Sequence, residues 1–245
     1  MAKPWQILDK ANTDDGLLEL RQRGEKDFLI TIDNRVLMNS SANRSELVLS
    51  ELACRAMKNQ ADPRVLIGGL GMGYTLKAAL DNLPVAAKVV VAELNPVVVK
   101  WCTGPIAHLT EGAANDPRVT VEIADVASLI MNASMQGSKA RFDAIILDLY
   151  EGPHEGDDEY EHLYGDTALE LSNSALMPGG VFAVWSEDPD KSFEKRLTGS
   201  NFTFSKERPG RGGRRHVVYI AKQTGLTSRS NHRQPATGKK RAVKH

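Results

Sequence analysis

Between residues 16 and 38 apolar and polar positions alternate. Phe28, Ile30 and Ile32 share one face, and after Asp33-Asn34 a second short run follows at Val36-Leu37-Met38. Alternation of period two around such a turn predicts a small β-hairpin or meander. The spacing then becomes helical, with Leu47, Val48, Leu52 and Met57 near one face, and predicts a helix over 45–57 that ends before Pro63. Beyond it, the runs VLIGGL, VVVAE and AIILDL are apolar without alternation, as strands covered on both faces are. They belong to strands predicted at 64–70, 88–93, 118–124, 142–149 and 180–186, with helical stretches near 74–82, 96–107, 125–133 and 164–176 between them. This regular alternation implies right-handed βαβ units and a doubly wound, mainly parallel sheet. A helical piece at 191–197 and two further runs, 202–204 and 216–220, add an antiparallel hairpin at the sheet edge, for seven strands in all. The expected fold is therefore α/β, with an N-terminal hairpin and helix appendage (1–60), a Rossmann-like domain (61–222) and a tail (223–245). The tail is polar, lacks aromatics and is expected to stay disordered.

Composition adds one asymmetry. The 245 residues are 41% hydrophobic and 25% charged, ordinary values for a globular chain able to bury one large core. The 31 basic and 31 acidic side chains cancel only on average, because no acid follows Glu207 and the last 38 positions hold eleven basic residues. The preceding body is therefore acidic, which suits a cationic ligand. Cys54 and Cys102 lie far apart in predicted helices and indicate neither a disulfide framework nor a zinc knuckle. No apolar stretch follows the first residues and no run is long enough to cross a bilayer, so a cytoplasmic protein without a membrane partner is expected.

The chemistry begins at Gly68-Gly69-Leu70-Gly71-Met72-Gly73, directly after the first core strand and at the start of a helix. Glycines there permit positive φ and close approach of the backbone to a ligand. No Lys-Ser/Thr pair follows, which excludes the phosphate-cradling loop of nucleoside triphosphatases. Glu93 ends the second strand, 20 residues after Gly73, where a carboxylate can accept both ribose hydroxyls of an adenosine. Asp125 follows the third strand at the height of an adenine amino group. NAD and S-adenosylmethionine (AdoMet) both present adenosine to such a crevice. The acidic surroundings and the terminal hairpin favour the sulfonium cation of AdoMet.

The segments VLIGGLGMG, VVVAELNPVVVKW, DPRVTVEIADV, FDAIILDLYEGP and LYGDTALELSNSALMPGGVFAVW occur in the order and spacing of a known family. Over about residues 28 to 222 the chain resembles the spermidine-synthase-like branch of class I AdoMet-dependent transferases. The resemblance implies a class I methyltransferase-like Rossmann fold. It also implies that Gly69, Gly71 and Gly73 hold the methionine part of the nucleoside, Glu93 the ribose and Asp125 the adenine. Homodimers are common in that family.

In the same family an Asp-x-x-Asp-Pro segment ends the fourth strand, and its first Asp binds and deprotonates the attacking amine. Asp148-Leu149-Tyr150-Glu151-Gly152-Pro153 matches it, so Asp148 is expected as the base, Glu151 as its assistant and Tyr150 as a wall of the acceptor site. A protonated amine needs carboxylates to bind it and accept its proton before its lone pair can attack. Before the glycine strand, Glu46 matches a family Glu, whereas Leu49 stands where the family has Tyr and no matching Gln is present. No acid occurs between Asp62 and Asp81, near the glycine turn, to hold the ammonium of decarboxylated AdoMet. These departures lead to the expectation of methyl transfer from ordinary AdoMet to a small amine-bearing or cationic acceptor. Aminopropyl transfer from decarboxylated AdoMet is the alternative. The acidic segment 151–161 could attract a cationic amine or be merely solvated, and its crowded ligands have no geometry for a metal, so none is expected. A third reading is a non-catalytic nucleoside-binding protein whose basic end, with GRGGRR (210–215) and GKKR (238–241), touches RNA or another partner. Without interleaved aromatics, that end is expected to make tail contacts rather than to recognise sequence.

Overall fold

The computed structural model describes residues 3–57, 60–150, 152–153, 161–209 and 216–224. The N-terminal region is a four-stranded antiparallel meander: β1 (Gln6–Thr13), β2 (Gly16–Arg23), β3 (Asp27–Ile32) and β4 (Arg35–Asn39). The turn at Asp33-Asn34 has φ of 44° and 66°, the positive-φ geometry that matches hairpin twist. Asp33 Oδ1 also accepts the Leu17 N–H at 2.9 Å. The sheet therefore extends one strand further toward the N-terminus than the apolar pattern over 16–38. β1 carries almost no apolar face, since it is an edge strand exposed over most of its length. Polar bonds hold it instead: Asp9 Oδ2 accepts from both Trp101 Nε1 and Lys100 Nζ at 2.9 Å.

Helix α1 (Arg44–Ala56) follows, and then the central sheet: β5 (Arg64–Gly68), β6 (Lys88–Glu93), β7 (Val119–Ile123), β8 (Phe142–Leu147), β9 (Leu176–Ser186), β10 (Phe202–Glu207) and β11 (Val217–Gln223). Its spatial order is β10-β11-β9-β8-β5-β6-β7, with β5 to β9 parallel and β11 antiparallel to both β9 and β10. The expected seven-stranded, doubly wound sheet is thus present. Strands predicted to reach residues 70 and 149 stop at Gly68 and Leu147, and the residues beyond them turn outward at the ligand side.

The helices between the strands are α2 (Tyr74–Asn82), α3 (Pro96–Thr103), α4 (Val126–Met135), α5 (Glu161–Tyr164), α6 (Asp166–Ala175) and α7 (Lys191–Gly199). They cover both faces. On one face Leu49 and Ala53 of α1, Leu76 of α2 and Trp101 of α3 form a continuous core with Leu20 and Phe28 of the meander. On the other, Ile130, Leu169, Phe193 and Leu197 pack with Phe182 and Phe202, whose rings stack at 5.6 Å. Helix α1 is therefore a structural layer of the parallel sheet as well as the link to the meander. Burial of Leu, Phe and Trp side chains at about 1.5–3 kcal/mol each makes these two layers the main source of stability.

The chain passes from β5 to β6 and β7 on one side, then returns to β8 on the other. The carboxyl ends of β5 and β8 therefore border the crevice at a topological switch point, where ligands bind in such sheets. Among the described residues no helix is long and apolar enough to cross a membrane. The basic segment 210–215, the tail from 225 and most of the acidic segment, residues 151 and 154–160, lie outside the described residues.

Candidate active site

The glycine turn between β5 and α2 is shaped by backbone that L-residues adopt only at a cost. Gly69 has φ of +88°, and a Cβ there would lie 2.4 Å from the carbonyl oxygen of Asp148. Only glycine lets β5 and β8 approach closely enough to share one crevice. Gly71 is also in the left-handed region, and its missing Cβ leaves room for Met38 Sδ, which accepts the Met72 N–H at 3.1 Å. Gly73, with φ of +83°, caps the N-terminus of α2.

Glu93, at the end of β6, is 8% exposed and accepts the N–H of Leu70 and of Asn95, each at 2.9 Å. It thus braces the turn from the neighbouring strand. Burial pushes its carboxyl above the usual carboxylate range, and the backbone donors pull it back. The remaining lone pairs of this carboxylate are the acceptors a ribose would use. Asp125 caps α4, accepting the N–H of Ala127 at 3.1 Å and of Ser128 at 3.3 Å. Cys102 donates to the Gly71 carbonyl at 3.2 Å, and burial raises its thiol to about 12, so it is inert.

Asp148 stands directly beyond β8, its N–H bonded to the Gly68 carbonyl at 2.9 Å. Its carboxylate accepts a short hydrogen bond from Thr75 Oγ1 in the first turn of α2. Desolvation, and next the charge of Glu46, push it up to about 7, against the opposing effect of Thr75. Glu46 lies in the first turn of α1 and is only 8% exposed. A half-buried acid and a buried one thus face one site from different layers, and Asp148 has a basicity suited to proton transfer near neutral pH. Tyr150 sits at the rim, 42% exposed, with the Arg35 guanidinium 4.8 Å from its ring centre. Gly152 and Pro153 are buried on the end of β9, where a Cβ on Gly152 would meet the Trp185 carbonyl at 2.5 Å. Glu151 itself lies outside the described residues.

Three side chains of this site carried no signal in the sequence. Thr75 reads as an ordinary helix residue. Ser45 and His216 are 171 positions apart, yet Ser45 Oγ lies 3.1 Å from His216 Nδ1 and donates to Glu46 Oε2 at 2.7 Å. Pairings between distant segments of this kind have no local pattern from which to read them.

Comparison with known proteins bears on the family and the fold. Residues 49–197 match the model of the spermine/spermidine synthase domain. A polyamine aminopropyltransferase of Mycobacterium tuberculosis is 32% identical over 127 residues, which is 51% of this chain and 23% of that protein. Polyamine aminopropyltransferase 1 of Hyperthermus butylicus is 32% identical over 151 residues, 60% of this chain and 49% of that one. The chain thus spans half or less of the length of these curated relatives. Spermidine synthase of Thermotoga maritima superposes with a TM-score of 0.68 at 19% identity, covering 89% of this chain and 73% of that one, a likeness of fold.

The expectation of methyl transfer from ordinary AdoMet is overturned by the family match and by these relatives, which are named for aminopropyl transfer. Residues 63–80 hold no acid, but the backbone of Asp148, beyond β8, packs against Gly69. The chain belongs to the spermine/spermidine synthase domain family.

Proposed function

We propose that this protein is an aminopropyltransferase, moving an aminopropyl group from decarboxylated AdoMet to a linear polyamine. The observation that carries this reading is the pair Asp148 and Glu46, two acids from different layers beside the glycine turn. A polyamine enters as a cation and must lose one proton before it can react, and a raised carboxyl flanked by a second acid suits both tasks. The residues fit the donor as well. Gly69 and Gly71 let Asp148 and Met38 close on the turn at the edge of the crevice, and Glu93 offers a buried carboxylate one strand away.

The donor supplies a sulfonium whose positive sulfur makes the adjacent carbon electrophilic. Gly69, Gly71 and Gly73 are assigned to its aminopropyl side, Glu93 to the ribose and Asp125, beyond its capping role, to the adenine amino group. Asp148 accepts the proton of the acceptor amine and holds the freed nitrogen in line for attack. Glu46 binds the cation and keeps Asp148 basic. Tyr150 is assigned to the rim of the acceptor pocket, and Glu151, three positions after Asp148, is retained as assisting acid on the resemblance alone.

The test is incubation of the purified chain with decarboxylated AdoMet and a four-carbon diamine or spermidine, with mass spectrometry of the lengthened amine and of methylthioadenosine. Product is expected with at least one amine, and Asp148→Asn should lower kcat by about 10²- to 10⁴-fold. No aminopropylated product with any linear amine would refute the proposal.

A further inference from the structure

We infer that Ser45 and His216 form a proton exit from the acceptor site, carrying the proton released during transfer from Glu46 toward solvent. The inference rests on the aminopropyltransferase reading. In that reaction an amine that arrives as an ammonium gives up one N–H proton. Its freed electron pair makes the new C–N bond, and the electrons of the broken C–S bond pass to sulfur, which becomes a neutral thioether. One proton is left over per turnover, and it must leave a site walled by Asp148 and Glu46.

The geometry provides a hydrogen-bonded path from Glu46 to His216. Glu46, 8% exposed, is bonded through its Oε2 to Ser45 Oγ at 2.7 Å, and Ser45, 6% exposed, lies 3.1 Å from His216 Nδ1. His216 is half-buried, ahead of β11, with its ring edge-to-face against Trp185 at 4.9 Å and 69°. The path therefore runs from Glu46, whose charge acts on Asp148, to a partly exposed imidazole. The Ser45 hydroxyl is not spent on helix capping. Asn43 is the N-cap of α1 and makes no side-chain cap bond, while the Ser45 hydroxyl bonds a carboxylate instead.

A serine hydroxyl both donates and accepts, so the chain supports two polarities. With the proton on Glu46, Glu46 donates to Ser45 and Ser45 donates to Nδ1. After the hop, Nδ1–H donates to Ser45 and Ser45 donates to the Glu46 carboxylate, while the imidazolium can lose its other proton to water. Tyr74, whose hydroxyl donates to the Ser40 carbonyl at 3.0 Å and is raised by burial and in part by the charge of Glu46, is a further titratable group beside Glu46. Thr75 offers no comparable exit, being 2% exposed and ending on Asp148.

The test compares His216→Ala, Ser45→Ala and Ser45→Thr in the full chain with the parent protein, measuring kcat and the KM for the amine and adding imidazole to each. The expected result is a fall in kcat of about tenfold or more for both alanine variants, with KM nearly unchanged. Ser45→Thr, which keeps the hydroxyl, should retain most activity, imidazole should partly restore His216→Ala, and the double alanine variant should be no slower than either single one. Thermal melting of each variant separates lost folding from lost transfer. Unchanged kcat in well-folded alanine variants would overturn the relay while leaving the aminopropyltransferase reading intact, as would a rise in KM alone or no rescue by imidazole. A parent protein that transfers nothing to any amine would overturn both.

Discussion

Replacing Asp148 by Asn removes one charge while preserving the side chain's size and an oxygen that can accept from Thr75 Oγ1. In the folded protein the carboxyl is raised from 3.8 to about 7, chiefly by desolvation and then by Glu46. The folded state therefore holds a proton that the unfolded chain has lost between about pH 4 and about pH 7, and stability falls as pH rises through that window and is level above it. At about 1.4 kcal/mol per pH unit the ceiling is about 4 kcal/mol, and solvent screening at this partly exposed position reduces the expected gain to about 2 kcal/mol. Asp148→Asn should thus be more stable than the parent at about pH 8, with the difference shrinking toward zero near pH 4. Urea unfolding at a series of pH values measures it through the midpoint at constant slope. A variant no more stable at the alkaline end, or a difference that ignores pH, would refute the idea that this acid is held against its solvation preference. Together with loss of transfer, a gain in stability would be the signature of a group retained for its chemistry.

Other substitutions probe the frame around it. Gly69→Ala places a Cβ against the Asp148 carbonyl at a φ of +88° and should cost about 2–4 kcal/mol in urea unfolding; an unchanged midpoint would refute the close approach. Glu93→Gln turns an amide NH₂ toward one of the two backbone N–H groups, from Leu70 and Asn95, that the carboxylate now accepts, so about 1–3 kcal/mol of stability should be lost. In calorimetry the same variant should bind methylthioadenosine about tenfold more weakly, and unchanged affinity would remove Glu93 from the nucleoside site. Asp190→Ala deletes the cap of α7, where Oδ1 accepts from Ser192 and Phe193 at 2.7 and 3.0 Å, and should destabilise by about 1–2 kcal/mol without altering nucleoside affinity.

Much of the architecture was written in the chain because its cause is local. Runs such as VVVAE and AIILDL have no polar alternation, and a strand of that composition must be covered on both faces, so the parallel sheet followed directly. The glycine turn, Glu93 and Asp125 could be placed because each sits at the end of a strand, where the fold presents ligands. β1 could not be read the same way: QILDKANT has no buried face, and it is held by its ladder with β2 and by the Trp101 indole N–H, which donates to Asp9 from ninety-two positions away. The contact of Asp148 with Gly69, across the paired ends of β8 and β5, is likewise absent from any local pattern.

By itself the sequence determined the elements, the order of strands that makes a crevice, and the family likeness, all of which depend on hydrophobic period and turn chemistry over short spans. Only the tertiary structure decided what surrounds the acids Asp148 and Glu46. Strand pairing brings Asp148 against Gly69, and the packing of α1 on the sheet brings Glu46 toward Asp148 and Ser45 onto His216. A carboxyl's proton affinity depends on the water it loses and the charges it meets, and both are properties of the assembled layers.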